Sequence, residues 1–202
     1  AAGIQRLARC RNIDAVDIPI QQKWALVVGV NRCMSPNWPE LPASSNDVRI
    51  MHDTLTTALG FAENHVTILT DTQATQANIV AGLRDIINKA QPDDLILFYF
   101  SGHSSRLPNP MGYQEQGRWF VLCPYDTQVT GQGLLAFPLL VGMLAEARAK
   151  QLIVVMDSLN AAAAGPFLGK LSEQGKNWLL LAGCGPEQSA ADRPLKTAQG
   201  TP

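Results

Sequence analysis

The chain has 202 residues, 46% of them apolar and 16% charged, with a formal charge of -1. That length supports one sizeable domain with its own core, and the apolar fraction excludes a disordered chain. The near-zero charge excludes a protein drawn strongly to nucleic acid or to an anionic membrane surface.

Residues 1–22 form an N-terminal segment that is only weakly amphipathic. From Lys23 to Val30 the residues are almost continuously apolar, as in a strand buried on both faces. Asp47 to Leu59 then carries Val48, Met51, Leu55 and Leu59 three or four apart, which predicts a helix stopped by Gly60. His65–Thr70 reads as a strand. Thr75 to Ala90 reads as a helix with Ile79, Leu83, Ile86 and Ile87 on one face. Leu95–Phe100 is the next apolar strand, and 104–117 reads as an exposed loop rich in polar residues, Pro and Gly. Arg118–Cys123 is expected as a short hairpin or edge strand. A helix over Pro138–Lys150 and strands over Leu152–Met156 and Trp178–Ala182 complete the set. Residues 193–202 read as a polar tail.

Alternating strands and helices predict an α/β fold, a mostly parallel sheet with helices on both faces. Ligands of such sheets bind beyond the carboxyl ends of the strands. His103 follows one strand end and Asp157 another, so both are expected at one edge of the sheet. The four cysteines, Cys10, Cys33, Cys123 and Cys184, show neither C-x-x-C spacing nor a dense framework. With no signal peptide, they read as reduced thiols in a cytoplasmic setting. No apolar stretch approaches the roughly 20 residues that span a bilayer.

Four segments, in order, carry a resemblance: Trp24-Ala-Leu-Val-Val-Gly-Val-Asn31, Leu41-Pro-Ala-Ser-Ser-Asn-Asp-Val48, Phe98-Tyr-Phe-Ser-Gly-His103 and Ile153-Val-Val-Met-Asp-Ser-Leu-Asn160. They resemble the caspase-like cysteine peptidases, closest to metacaspases and orthocaspases (peptidase family C14). The resemblance spans about residues 23–192 and implies the caspase-like fold for that domain. It makes His103 the position of the catalytic base. The separation from His103 to Leu159 is close to the roughly 50 residues of the caspase signature. Leu159, however, stands where the family has its nucleophilic cysteine. Ser104 replaces the glycine after the histidine, and Asn160 and Ala161 replace the residues after the cysteine. The family also has a further strand and helices after the last matched segment. Here the sheet is expected to lack its last strand, through truncation or because another chain supplies it.

An acyl-enzyme mechanism needs a nucleophile within hydrogen-bond reach of a base, and leucine offers only carbon. Ser158 is adjacent, but neighbours on an extended strand point to opposite faces. Cys33, Cys123 and Cys184 read as small buried hydrophobes. In metacaspases the aspartates equivalent to Asp47 and Asp157 line an acidic pocket that accepts arginine or lysine. A carboxylate pair binds a guanidinium through charge-assisted bidentate bonds. The competing account makes Asp47 a helix cap and gives Asp157 a purely structural role at the strand end.

No metal or other cofactor is expected. His52 and His65 lack metal-ligand spacing to a third donor. The stretch Gly112–Gln116, which resembles the calcium-responsive region of some metacaspases, keeps only Glu115 as an acid. Three readings follow from the resemblance. The first is a pseudopeptidase that binds a peptide or protein bearing a basic side chain without cutting it. The second is an active cysteine endopeptidase whose nucleophile lies outside the motif. The third is an assembly module that pairs through a sheet edge, as a homo-oligomer or with a companion chain.

Overall fold

The structure is a computed structural model that describes residues 19–108 and 118–186. Among these residues, eight strands form two sheets. The central sheet is wholly parallel, in the order β2 (Val66–Thr70), β1 (Lys23–Gly29), β3 (Leu95–Ser101), β7 (Gln151–Asp157), β8 (Asn177–Ala182). The smaller sheet is antiparallel and joins β4 (Ser104–Pro108), β5 (Arg118–Leu122) and β6 (Leu135–Ala136).

Two-residue alternation decides what each face of the central sheet does. Leu26 and Val28 of β1, Ile96, Phe98 and Phe100 of β3, and Leu152, Val154 and Met156 of β7 point to one side. There they pack against α2 (Gln76–Lys89), α3 (Phe137–Glu146) and α4 (Gly165–Glu173), through residues such as Ile79, Leu83, Leu140, Leu144 and Leu168. The other face presents Ala25, Val27, Leu95, Leu97 and Tyr99 to a smaller core built with Val48, Leu55 and Phe61. That cover comes from α1 (Ser44–Asp53) and the π-helical turn Thr54–Ala58. Helices on both faces are what a buried parallel sheet requires.

The helix start at α2 follows the capping rule: the Thr75 side chain accepts from the backbone amide of Asn78. α1 departs from expectation at both ends. It begins at Ser44 rather than Asp47, its cap position is Ala43, and no side chain caps it. Asp47 therefore lies inside the first turn and is not a cap. At the far end Thr54, Thr56 and Thr57 donate their hydroxyls back to the carbonyls of Ile50, His52 and Asp53. Such back-bonding loosens helices, and the α-helix here gives way to the wider turn before Gly60, which takes a left-handed φ of 69°.

Other boundaries also differ. The expected loop over 104–117 opens with β4, whose first residue, Ser104, is buried. The strand expected over Arg118–Cys123 runs over Arg118–Leu122 and pairs antiparallel with the strand before it, which agrees with the hairpin alternative; β6 on its other side makes it the centre of the small sheet and not an edge. The helix expected over Pro138–Lys150 runs over Phe137–Glu146. α4 was not expected; it starts at Gly165-Pro166, and proline suits a first helical turn. The expectations for residues 1–18, for the Gly112–Gln116 stretch, for the polar tail and for a strand beyond β8 lie outside the described residues.

α1 sits hard against β1. A Cβ added at Gly29 would lie 2.4 Å from Val48 Cγ2 and 2.8 Å from the Ser44 carbonyl oxygen. The Gly29→Ala substitution is therefore expected to destabilise the fold by roughly 1–3 kcal/mol, the usual cost of overpacking. Urea denaturation checks this, and an unchanged midpoint would mean that α1 can shift off the strand at no cost.

Candidate functional site

Because β1, β3 and β7 are neighbours and parallel, the three loops that follow them emerge together. The ladder continues past the strands: the Val30 amide donates to the Ser101 carbonyl at 2.9 Å, and the Gly102 amide to the Asp157 carbonyl at 3.3 Å. These bonds bring the His103 and Leu159 segments side by side.

His103 is 4% exposed. Its Nε2 lies 2.6 Å from the Pro39 carbonyl oxygen, and the Trp38 ring centroid is 5.1 Å from the imidazole. A carbonyl oxygen can only accept, so Nε2 carries the hydrogen and donates it. In the neutral ring that leaves Nδ1 as the nitrogen able to take a proton. The acceptor is a backbone atom in the loop after β1.

Leu159 sits in the turn after β7. Its carbonyl accepts a hydrogen bond from the Ser104 hydroxyl, and the Ser158 carbonyl accepts one from Cys184 Sγ at 3.1 Å. Asn160 follows in the left-handed region, φ 54°. The turn is thus held from both sides by side chains of flanking elements. Ser158 is buried, on the Met156 side of the strand alternation, and its hydroxyl has no hydrogen-bond partner among the described residues. A hydroxyl turned into the interior is not placed to meet a substrate.

Asp47 and Asp157 come together on the α1 face. Ser101 is the register partner of Asp157, and its hydroxyl donates to Asp47 Oδ2 at 3.3 Å. Two residues back on the same face lies Tyr99, the register partner of Val155. Burial raises the Tyr99 phenol pKa most, and the negative charges of Asp157 and Asp47 raise it further. Asp157, Tyr99, Met51, Val155, Leu181 and Gly183 line a cavity of about 350 Å³. A Cβ at Gly183 would lie 2.9 Å from Asp157 Oδ1, so glycine leaves room for that carboxylate. The result is a recess with aliphatic and aromatic walls and the Asp157 carboxylate, with Asp47 joined to the same face through Ser101, a chemistry suited to the stem and the charged head of a basic side chain.

Tyr99 and Ser101 belong to this site although no motif marks them for it. Their signal was present: polar atoms at alternate positions of an otherwise apolar strand, on the face opposite Phe98 and Phe100. Nothing in the sequence marks the Pro39 carbonyl. Among the described residues no group of three or more His, Cys, Asp or Glu is placed to hold a metal ion. No described helix is long and apolar enough to cross a membrane.

Cys33 and Cys123 are buried, and Cys33 Sγ lies 3.6 Å from the Cys123 carbonyl oxygen. Burial, then the carboxylates of Asp126 and Asp71, push the Cys33 thiol up to about 11. Burial chiefly, and Cys33 next, raise Cys123 as well. Cys184 is half-buried.

Comparison with known proteins places these observations in a family. The model of the metacaspase, peptidase C14 domain, matches residues 23–164. Metacaspase-1 of Scheffersomyces stipitis is 36% identical over 116 residues, 54% of this chain and 28% of that protein. Metacaspase-1B of Aspergillus fumigatus is 31% identical over 153 residues, 69% of this chain and 35% of that protein. The matched part thus spans about a third of the length of these curated relatives. A crystal structure of a Geobacter sulfurreducens protein superposes with a TM-score of 0.65 at 20% identity, over 86% of this chain and 76% of that one, which speaks to the fold alone.

A raised thiol pKa keeps the reactive thiolate scarce at neutral pH. Site-resolved alkylation at about pH 8 is expected to label Cys184 well before Cys33 or Cys123. Labelling of Cys33 should climb only as pH approaches its value of about 11. Equal rates at the three sites would show that the two buried thiols are reached by solvent.

Proposed function

We propose, for a chain that belongs to the metacaspase, peptidase C14, family, that it binds a basic side chain in a peptide or protein partner and does not hydrolyse the peptide bond. What carries this is Leu159, which the resemblance puts at the family's nucleophile position, in the turn after β7 whose carbonyl is bonded to Ser104 of the His103 segment. A hydrocarbon side chain cannot attack a carbonyl, and catalysis through an acyl-enzyme needs nucleophile and base together.

Several observations support the loss of cutting and the retention of binding. The Ser158 hydroxyl is buried away from the site. The Cys33 and Cys123 thiols are buried and resist ionisation. Ser104 holds the Leu159 carbonyl, and Asn160 takes a left-handed conformation. The conformation of this turn is therefore fixed through its carbonyls. By contrast, Asp47 and Asp157 flank Ser101 and Tyr99. The binding half of the site is the better furnished half.

The β8 strand supports a second and compatible reading, assembly. It is the outer strand of the parallel sheet among the described residues, with Leu179 and Leu181 47% and 45% exposed. An open strand edge flanked by leucines favours association with another chain.

Isothermal titration with an arginine-ended peptide tests the first reading. Binding is expected, and Asp157→Ala should weaken it by roughly tenfold to a hundredfold, the loss of a hydrogen bond to a charged group. Equal affinity in the variant would reject the acidic pocket. A fluorogenic peptide with arginine before the cleavable bond should show no turnover; turnover abolished by His103→Ala would overturn the non-hydrolytic reading. Leu159→Cys by itself is expected to restore little activity, because Ser104 and Asn160 still fix the turn. Substantial rescue by that one change would show that the oxyanion machinery is intact.

A further inference from the structure

Asp71 follows β2, the outermost strand on its side of the sheet, at the start of a 3₁₀ turn over Asp71–Gln73. Its φ is 42°. Few residues other than glycine occupy that region, and such outliers persist where surrounding contacts over-determine them. The contacts here are specific. Asp71 Oδ1 accepts from the backbone amides of Asn31 at 2.8 Å and Arg32 at 3.3 Å. Oδ2 accepts from the Ser45 hydroxyl at 3.3 Å. Asn31 and Ser45 close the arrangement: Asn31 Nδ2 donates to Ser45 Oγ at 2.8 Å, and the Ser45 amide donates to Asn31 Oδ1 at 2.9 Å.

Two lines run out of this hub. The first goes through the loop after β1. The Leu41 amide donates to the Asn31 carbonyl at 2.8 Å, so the loop is pinned where it leaves the strand and where it returns. Between those points lie Trp38, which faces the imidazole, and Pro39, whose carbonyl takes the Nε2 hydrogen of His103. The second line goes through α1. Ser45 is in the first turn of that helix, two residues ahead of Asp47. The hub therefore fixes both the acceptor that orients His103 and the helix start that carries one carboxylate of the acidic pocket.

We propose that Asp71 is a positioning residue that, with Asn31 and Ser45, ties the orientation of His103 to that of Asp47 through one hydrogen-bonded hub. The physical reason lies in the choice of acceptor. A carboxylate takes several donors at once and holds backbone amides with charge-assisted strength. The left-handed turn aims it back across β1. The peptide-affinity arm of the test rests on the acidic-pocket reading above; the imidazole arm does not.

The test compares Asp71→Gly, Asp71→Asn and the wild type. Glycine adopts a positive φ without strain, so Asp71→Gly removes the carboxylate and not the turn. Two readouts are taken: the nitrogen and carbon ring resonances of His103, which report tautomer and environment, and the affinity for an arginine-ended peptide. In Asp71→Gly the His103 ring is expected to lose its single Nε2–H tautomer, and the peptide to bind at least about fivefold more weakly, the scale of a modest coupling between sites. Asp71→Asn keeps an oxygen that can accept from the Asn31 and Arg32 amides, so it should restore the ring signature and most of the affinity. Ile87→Val, a buried change in the last turn of α2, at the end of that helix away from the Asp71 turn, serves as a control for lost stability and should move neither readout. An unchanged His103 ring in Asp71→Gly overturns the proposal, whatever the peptide does. If the wild type binds no peptide, the acidic pocket fails on its own account, and the ring resonances still decide the hub.

Discussion

The in-register parallel pairing of β1, β3 and β7 positions the candidate site of this molecule. It sets Ser101 opposite Asp157 and Tyr99 opposite Val155, and the strict alternation of strand side chains then sends these polar groups to the α1 face. Phe98, Phe100, Val154 and Met156 go to the other face and build the larger core. A slip of one residue would exchange the two sets, burying carboxylates in hydrocarbon and exposing the aromatic core. The cost of such a slip keeps the register single, and the single register keeps Asp157 beside the ground that Asp47 occupies.

The site that results is uneven. Its base side is well organised: the imidazole is buried, one nitrogen is committed to a backbone carbonyl, and an indole lies against the ring. Its nucleophile side is organised for something else. The carbonyls of residues 158 and 159 are taken by Cys184 and Ser104, which makes the turn a rigid corner of the scaffold. The carboxylate recess lies on the same strands yet does not depend on that turn. On the proposed reading, loss of cutting and retention of binding are separable within one fold: the recess is part of the sheet and α1, whereas a nucleophile would belong to a loop.

Much of the fold was legible in the sequence, because the central strands are buried on both faces and their apolar runs have no other explanation. The elements that were misjudged are those whose stability is non-local. β4 holds Ser104, Ser105, Arg106 and Pro108, residues that read as loop, and it is a strand only because β5 pairs with it. α4 begins with Gly165-Pro166 and includes Gly169, a weak helical signal, yet Phe167, Leu168 and Leu171 bury against the sheet and hold it. α1 starts at Ser44, ahead of the apolar spacing that begins at Val48, because its first turn, Ser44 to Asp47, carries no apolar side chain. In the fold, Gly29 lets the helix approach β1 at a distance no side chain would permit.

The site divides in the same way. His103, Leu159, Asp47 and Asp157 could be picked out from motifs, because side-chain chemistry is written in the sequence one residue at a time. The sequence alone thus determined the family and the parallel α/β plan. The tertiary structure decided which nitrogen of His103 is committed, since the partner is the carbonyl of Pro39 and every residue has a carbonyl. It also decided that Ser158 turns inward and that Asp71 reaches β1 and α1 together. These depend on distances between segments far apart in the chain, and local pattern carries no record of such distances.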